Sequence, residues 1–144
     1  MNGFYGTFYH TLDPKNRFFV PAKLRSNLGE SFFITRKLTK PALVVYPLSE
    51  WEKLREKLNA YPDSEIEDIK QFIFSHSVCA TPDAQGRILL PNDLTDYAGI
   101  DKEIAIVGVS EYVLIYAAET LAAEEKHQTE NLEKMRSKFA ALGL

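Results

Sequence analysis

One cysteine, three histidines and one tryptophan stand among 144 residues. The solitary Cys79 cannot close an internal disulfide, which removes the disulfide-stapled classes and suits a reducing compartment. On a predicted strand it is expected to be packed rather than reactive. His10, His76 and His127 lie far apart, and none falls at metal-ligand spacing from Cys79, so no metal site is expected. No run approaches the ~20 apolar residues of a membrane span, and the N-terminus lacks the charged-then-apolar pattern of a secretory leader. A cytoplasmic protein without membrane contact is the expectation. Also missing are a phosphate-cradling P-loop, a dinucleotide fingerprint and a nucleophile elbow. No catalytic residue, cofactor or small-molecule substrate is therefore expected.

What remains is an ordinary globular composition, 45% hydrophobic and 26% charged, enough for one domain or two small intertwined halves. The net charge of −3, taken whole, speaks against a nucleic-acid partner, but it is unevenly spread. Residues 1–58 hold ten Lys/Arg against five Asp/Glu, whereas residues 59–144 hold seven against fifteen, so the two stretches carry +5 and −8. Nucleic-acid binding needs a local basic face, not a basic whole.

A short stretch occurs twice. Asp13-Pro14-Lys15-Asn16-Arg17 leads into Phe18-Phe19-Val20-Pro21, and Asp83-Ala84-Gln85-Gly86-Arg87 leads into Ile88-Leu89-Leu90-Pro91. Aligned without gaps, Asp13, Arg17, Pro21, Leu24, Gly29, Ile34 and Tyr46 find Asp83, Arg87, Pro91, Leu94, Gly99, Ile104 and Tyr116. These types describe strand, tight turn, strand, short helix and hairpin. Asp opens the turn by bonding the backbone two residues on, and Asn16 or Gly86 tolerates positive φ. Pro21 and Pro91 suit the first turn of a helix, and Gly29 and Gly99 its left-handed close. Arg17 and Arg87 are left over. One such arginine would read as the ion-pair partner of its own Asp; its presence in both copies, with Lys15 beside the first, favours a binding role.

These motifs, with their flanks FYGTFYHTLDPKNRFFVPAKLR and ATPDAQGRILLPNDL, resemble the two halves of the MraZ family, bacterial regulators of the cell-division and cell-wall gene cluster. That family belongs to the AbrB-like (SpoVT–AbrB) swapped-hairpin class. The resemblance spans roughly residues 3–125 and departs from the family pattern at Asn16, where glycine is usual. It implies an α+β, mainly β protein: two tandem half-units whose interlocked hairpins form a pseudo-twofold β-barrel with connecting helices. The division expected is residues 3–50 for the first repeat, 51–75 for a connecting helical pair, 76–118 for the second repeat and 119–144 for a C-terminal helical tail.

Along the chain, residues 3–12 read as a strand whose aromatics suit a sheet core or subunit interface better than base stacking. Residues 21–28 form a short helix with Lys23 and Arg25 at polar positions. Strands at 31–35 and 42–46 flank a basic connection, Arg36, Lys37 and Lys40, which suits either phosphate contact or a solvated loop. Ser49 with Glu52, and Ser64 with Glu67, have capping-box spacing and predict two helix starts. Trp51, Leu54 and Leu58, then Ile66, Ile69, Phe72 and Ile73, form their apolar faces. Residues 78–81, 104–109 and 112–116 repeat the strands. Leu132, Met135, Phe139 and Leu142 mark an amphipathic C-terminal helix, free to dock on the body or on a neighbour.

Three functions compete. The first is a sequence-specific, double-stranded-DNA-binding transcriptional regulator. The resemblance implies that it acts on short repeated promoter sites, its own promoter included, as a ring-shaped homo-oligomer on the nucleoid. Arg17, Arg87, Lys15, Asn16, Gln85 and Gly86 of the motif loops, with Lys23 and Arg25 nearby, are its candidate DNA-binding residues. The second is a protein-interaction or antitoxin-like scaffold on the same fold. The third is an enzyme using Asp13 and Asp83 as an acid/base pair, against which stands the turn-opening role of both.

Overall fold

A computed structural model describes residues 3–144 of the chain. The first half runs β1 (Thr7–Thr11), β2 (Arg17–Phe19), α1 (Ala22–Leu28), β3 (Phe32–Arg36), β4 (Leu43–Pro47), α2 (Leu48–Asn59) and α3 (Asp63–Phe74). The second runs β5 (Val78–Ala80), β6 (Arg87–Leu89), α4 (Asn92–Tyr97), β7 (Glu103–Gly108), β8 (Val113–Ala117), α5 (Ala118–Glu130) and α6 (Leu132–Ala141). The duplication extends beyond the motif and hairpin, since α5 follows β8 directly just as α2 follows β4.

The halves exchange strands. One six-stranded sheet has the order β1-β7-β8-β4-β3-β5, while β2 and β6 pair separately as a ribbon. Each half's first strand therefore lies against the other half's hairpin. Exchanging the halves turns the register Leu43↔Ile115 into Val113↔Val45, and Arg17↔Leu89 into Arg87↔Phe19. Both pairs occur, so a pseudo-twofold axis passes between β4 and β8 and between β2 and β6. The α+β, strand-rich class agrees with the sequence. Among the described residues the barrel is not closed: β1 pairs only with β7 and β5 only with β3, which leaves two sheet edges.

Strand alternation explains the layers. Ile34, Leu43, Val45, Ile104, Ile106, Val113 and Ile115 face a core capped by the ribbon's Phe18 and Ile88 and by Leu24 and Leu94 of α1 and α4. Residues of the opposite parity, Val44, Ala105, Leu114 and Tyr116, gather beneath Leu121 of α5. Trp51 of α2 stacks on Phe33, with ring centroids 4.4 Å apart, and meets Phe74 of α3 edge-on at 5.3 Å. The N-terminal segment lies tight on β7. Phe4 and Ser110 exchange two backbone hydrogen bonds of 2.8 Å. A Cβ on Gly108 would stand 2.4 Å from the Tyr5 nitrogen, so only glycine admits this approach.

Several local expectations are corrected. The capping boxes do not form: α2 and α3 begin one residue before Ser49 and Ser64, behind Pro47 and Pro62, and make no side-chain cap bond. Proline's fixed φ sets the start instead. Cys79 is exposed, since its position on the edge strand β5 points outward. Arg36, Lys37 and Lys40 are engaged internally rather than open to a phosphate. The Arg36 guanidinium donates to the Phe72 carbonyl at 2.8 Å, Lys37 lies 5.1 Å from the Tyr112 ring centre, and Lys40 meets Glu124 at 3.0 Å. No helix among the described residues is long and apolar enough to cross a membrane.

Candidate nucleic-acid interface

Both motif turns are built alike. In the first, one Asp13 carboxylate oxygen accepts the backbone N–H groups of Lys15 and Arg17 at 2.8 and 2.9 Å, and the other accepts Arg17 Nε at 2.7 Å. In the second, Asp83 accepts Gln85 and Arg87 N–H, both at 2.9 Å, and Arg87 Nε at 3.0 Å. Asn16 N–H and Gly86 N–H close the two turns onto the carbonyls of Asp13 and Asp83, each at 2.9 Å. Asn16 and Gly86 take φ of 58° and 81°, the region each was expected to supply.

The turns also hold each other. Val20 N–H donates to the Gly86 carbonyl at 3.2 Å, and Leu90 N–H donates to the Asn16 carbonyl at 2.9 Å. These bonds bracket the β2–β6 ladder. Alternation along it sends Phe18 and Ile88 inward and Arg17, Phe19, Arg87 and Leu89 outward. The two arginines consequently stand diagonally on one face, with Asp13 between them: Arg87 Nη1 lies 3.9 Å from the Asp13 carboxylate that Arg17 holds at 2.7 Å. Each guanidinium is paired through Nε with its own turn's Asp, and the Arg17 and Arg87 side chains keep 27% and 22% of their surface open to solvent.

The other candidates divide. Lys15 and Lys23 are exposed, with no side-chain partner among the described residues. Gln85 is exposed at the tip of the second turn. Arg25 instead braces the interface: its Nη2 donates to the Val20 carbonyl at 3.1 Å and would sit 3.0 Å from a Cβ on Gly86. Asn16 is held by Asn92, its Nδ2 donating to Oδ1 at 2.8 Å. The two turns are thus covered differently, Gly86 by Arg25 and Asn16 by Asn92. Sequence reading missed Asn92, Phe19 and Leu89. The last two hold equivalent places in the two copies, between the motif arginine and the proline, which was the available signal.

Of the cations in the basic stretch 1–58, Arg36, Lys37 and Lys40 are engaged within the fold, and Lys53 and Arg55 form exposed ion pairs along α2 with Glu50 and Glu52. The basic groups left around the motif are Lys15, Lys23 and the two ribbon arginines. Among the described residues no group of three or more His, Cys, Asp or Glu side chains could hold a metal ion.

The turn carboxyls respond to this setting. Loss of water around Asp13 pushes its carboxyl up, but the Arg17 N–H, the Arg17 guanidinium and the Lys15 N–H outweigh it and hold it below the ordinary 3.8. At Asp83 the Arg87 N–H is the largest influence, and the balance again falls below 3.8. Groups lowered by folding stabilise the fold fully above their unfolded value, and that contribution is lost as pH falls through the lowered folded values. The melting temperature is therefore expected to drop below about pH 4. An Asp13→Asn/Asp83→Asn variant, already less stable at neutral pH, should show a flatter acid limb when thermal melts are repeated down through that range.

A duplicated strand–turn–strand–helix unit whose halves share one sheet, and whose turns meet on one ribbon, is the class of protein defined here. The family model described as "MraZ protein, putative antitoxin-like" matches residues 4–70 and again residues 73–139. Proteins named "Transcriptional regulator MraZ" are similar throughout. That of Desulfitobacterium hafniense (strain Y51) is 44% identical over 130 residues, 89% of this chain and 90% of its own length. That of Pelotomaculum thermopropionicum is 38% identical over 143 residues, 98% of each. That of Acetivibrio thermocellus is 35% identical over 143 residues, 98% of this chain and 99% of its own. The chain belongs to the MraZ family.

Proposed function

We propose that this protein is a transcriptional regulator that binds double-stranded promoter DNA through the face of the β2–β6 ribbon and its two turns. One observation carries the reading: Arg17 and Arg87, distant in sequence, stand on a common outward face, each partly open to solvent and the two linked through Asp13. Guanidiniums so placed suit bidentate bonds to guanine in the major groove or charge-assisted bonds to phosphate. Lys15, Lys23, Gln85 and the loop backbones at Asn16 and Gly86 flank them, and Arg25 supports the second loop from behind. The names borne by the relatives support the regulatory part of the reading.

The strand exchange supports an AbrB-like swapped-hairpin origin, with half-units at residues 3–50 and 76–118, each followed by a helical segment at 51–75 and 119–144. Assembly with further copies is supported by α6, and the assembly proposed is a ring acting on short repeated sites on the nucleoid. Every residue of that helix is exposed, Leu132, Met135 and Phe139 included, whereas its counterpart α3 buries Ile66 and Ile73. Charge fits a head-to-tail contact: α6 carries Lys134, Arg136 and Lys138 against Glu133, while α3 carries Asp63, Glu65, Glu67 and Asp68 against Lys70.

The test is a titration of the protein with duplex from upstream of its own gene over a range of salt concentrations. Binding should weaken steeply with salt as counterions return to the DNA. Lys15→Ala should weaken all sequences alike and reduce the salt slope by ~1. A protein that retards no duplex at any salt, yet co-purifies stably with another protein, would establish the scaffold function instead.

A further inference from the structure

The arginines leave part of the ribbon unexplained. Phe19 and Leu89 are equivalent residues, yet each is more than half exposed, 52% and 54%. They share the outward face with Arg17 and Arg87, and the register sets Arg17 opposite Leu89 and Phe19 opposite Arg87. Each guanidinium therefore has a large apolar side chain directly across from it. Two large apolar side chains exposed together on one two-stranded ribbon form a patch rather than a scattered exposure. A second copy laid ribbon to ribbon would set guanidinium against guanidinium and offer no new acceptor, because Asp13 and Asp83 are already bonded within their own turns, which disfavours that occupant.

We infer that Phe19 and Leu89 form an apolar reading surface for the 5-methyl groups of thymine, set between the two arginines. This rests on the DNA-binding function proposed above. The major groove admits a two-stranded β-ribbon, and the thymine methyl is the apolar group displayed on its floor. Alternating guanidinium and apolar side chains on one face match a site in which guanine and thymine edges alternate. The arginines supply bonds to guanine, and Phe19 and Leu89 supply contact where no hydrogen bond is offered.

The experiment uses the intact protein and duplex from upstream of its own gene, synthesised with thymine or with uracil throughout, a change that removes only the methyl groups. Wild type should bind the uracil duplex more weakly, by about fourfold for each methyl contacted. Phe19→Ser and Leu89→Ser should each shrink that ratio toward one, with the salt slope unchanged because phosphate contacts remain. Both positions are exposed, and thermal melts check that the variants stay folded. Equal wild-type affinity for the two duplexes would overturn the inference while leaving DNA binding intact. So would variants that keep the wild-type ratio, or that change oligomer size, which would make the surface a subunit contact. No binding of either duplex would remove the function and this inference together.

Discussion

Arg17→Ala and Arg87→Ala are each expected to lower affinity for promoter DNA by about 5- to 150-fold per binding unit, without changing the size of the assembly. The range corresponds to the ~1–3 kcal/mol of discrimination carried by a good bidentate arginine contact. The geometry makes the two losses interdependent. Asp13 lies against both guanidiniums, at 2.7 and 3.9 Å, so removing one arginine lets the carboxylate turn to the other. The double variant should accordingly lose less than the sum of the single losses, a coupling that a double-mutant cycle reads directly. Arg→Lys separates roles: it keeps the charge but loses the fork, so a guanine contact is lost while a phosphate contact largely survives. Gel retardation at fixed salt, paired with size-exclusion chromatography and thermal melts, distinguishes loss of recognition from loss of fold. Single variants that bind like wild type would refute the ribbon-face mechanism.

The second large effect belongs to α6. Met135→Glu/Phe139→Glu places two carboxylates on a helix that is exposed along its whole length. The protomer should fold and melt as wild type, yet run as a smaller species in light scattering. Affinity for DNA carrying several repeats should then fall by ~10²–10⁴, the gain that linked weak contacts provide. Affinity for a duplex with a single repeat should stay nearly constant. That contrast matters, because a variant that weakened both duplexes equally would have damaged the ribbon rather than the assembly. Reversing Lys134 and Lys138 to Glu should produce a milder version, partly restored by reversing Asp63 and Asp68 on α3. Unchanged size in all these variants would remove α6 from the assembly.

Much of the fold was legible because duplication preserves the residues that punctuate structure. Asp13, Pro21 and Gly29 recur as Asp83, Pro91 and Gly99, and with them the turns, helix starts and helix ends. The exchange of strands was not readable from periodicity. Alternation tells that Phe8 and Leu12 face inward, but nothing local says that β1 lies against β7 and not against its own hairpin. Helix starts are ambiguous in the sequence where two signals compete. Ser49 and Ser64 have the spacing of caps, yet Pro47 and Pro62 stand just before them and hold the cap positions. The repetition of α2 by α5 leaves little mark in the sequence, because Trp51 is replaced by Leu121, both buried but without shared identity. At the site, Arg17 and Arg87 were visible as surplus charge in a repeated turn. Asn92, which holds the Asn16 side chain from far along the sequence, carries no mark of that task in its own neighbourhood.

The joining of two unequal halves in one polypeptide has a further result. Assemblies of identical chains impose their own symmetry on the DNA they hold, and so favour palindromes. Here the two arms already differ, with Phe19 opposite Arg87 at one rung of the ribbon and Leu89 opposite Arg17 at the other. A duplex read by such a pair has a front and a back. Copies aligned along tandem sites would all point one way, giving the regulator a sense of direction relative to the gene it serves.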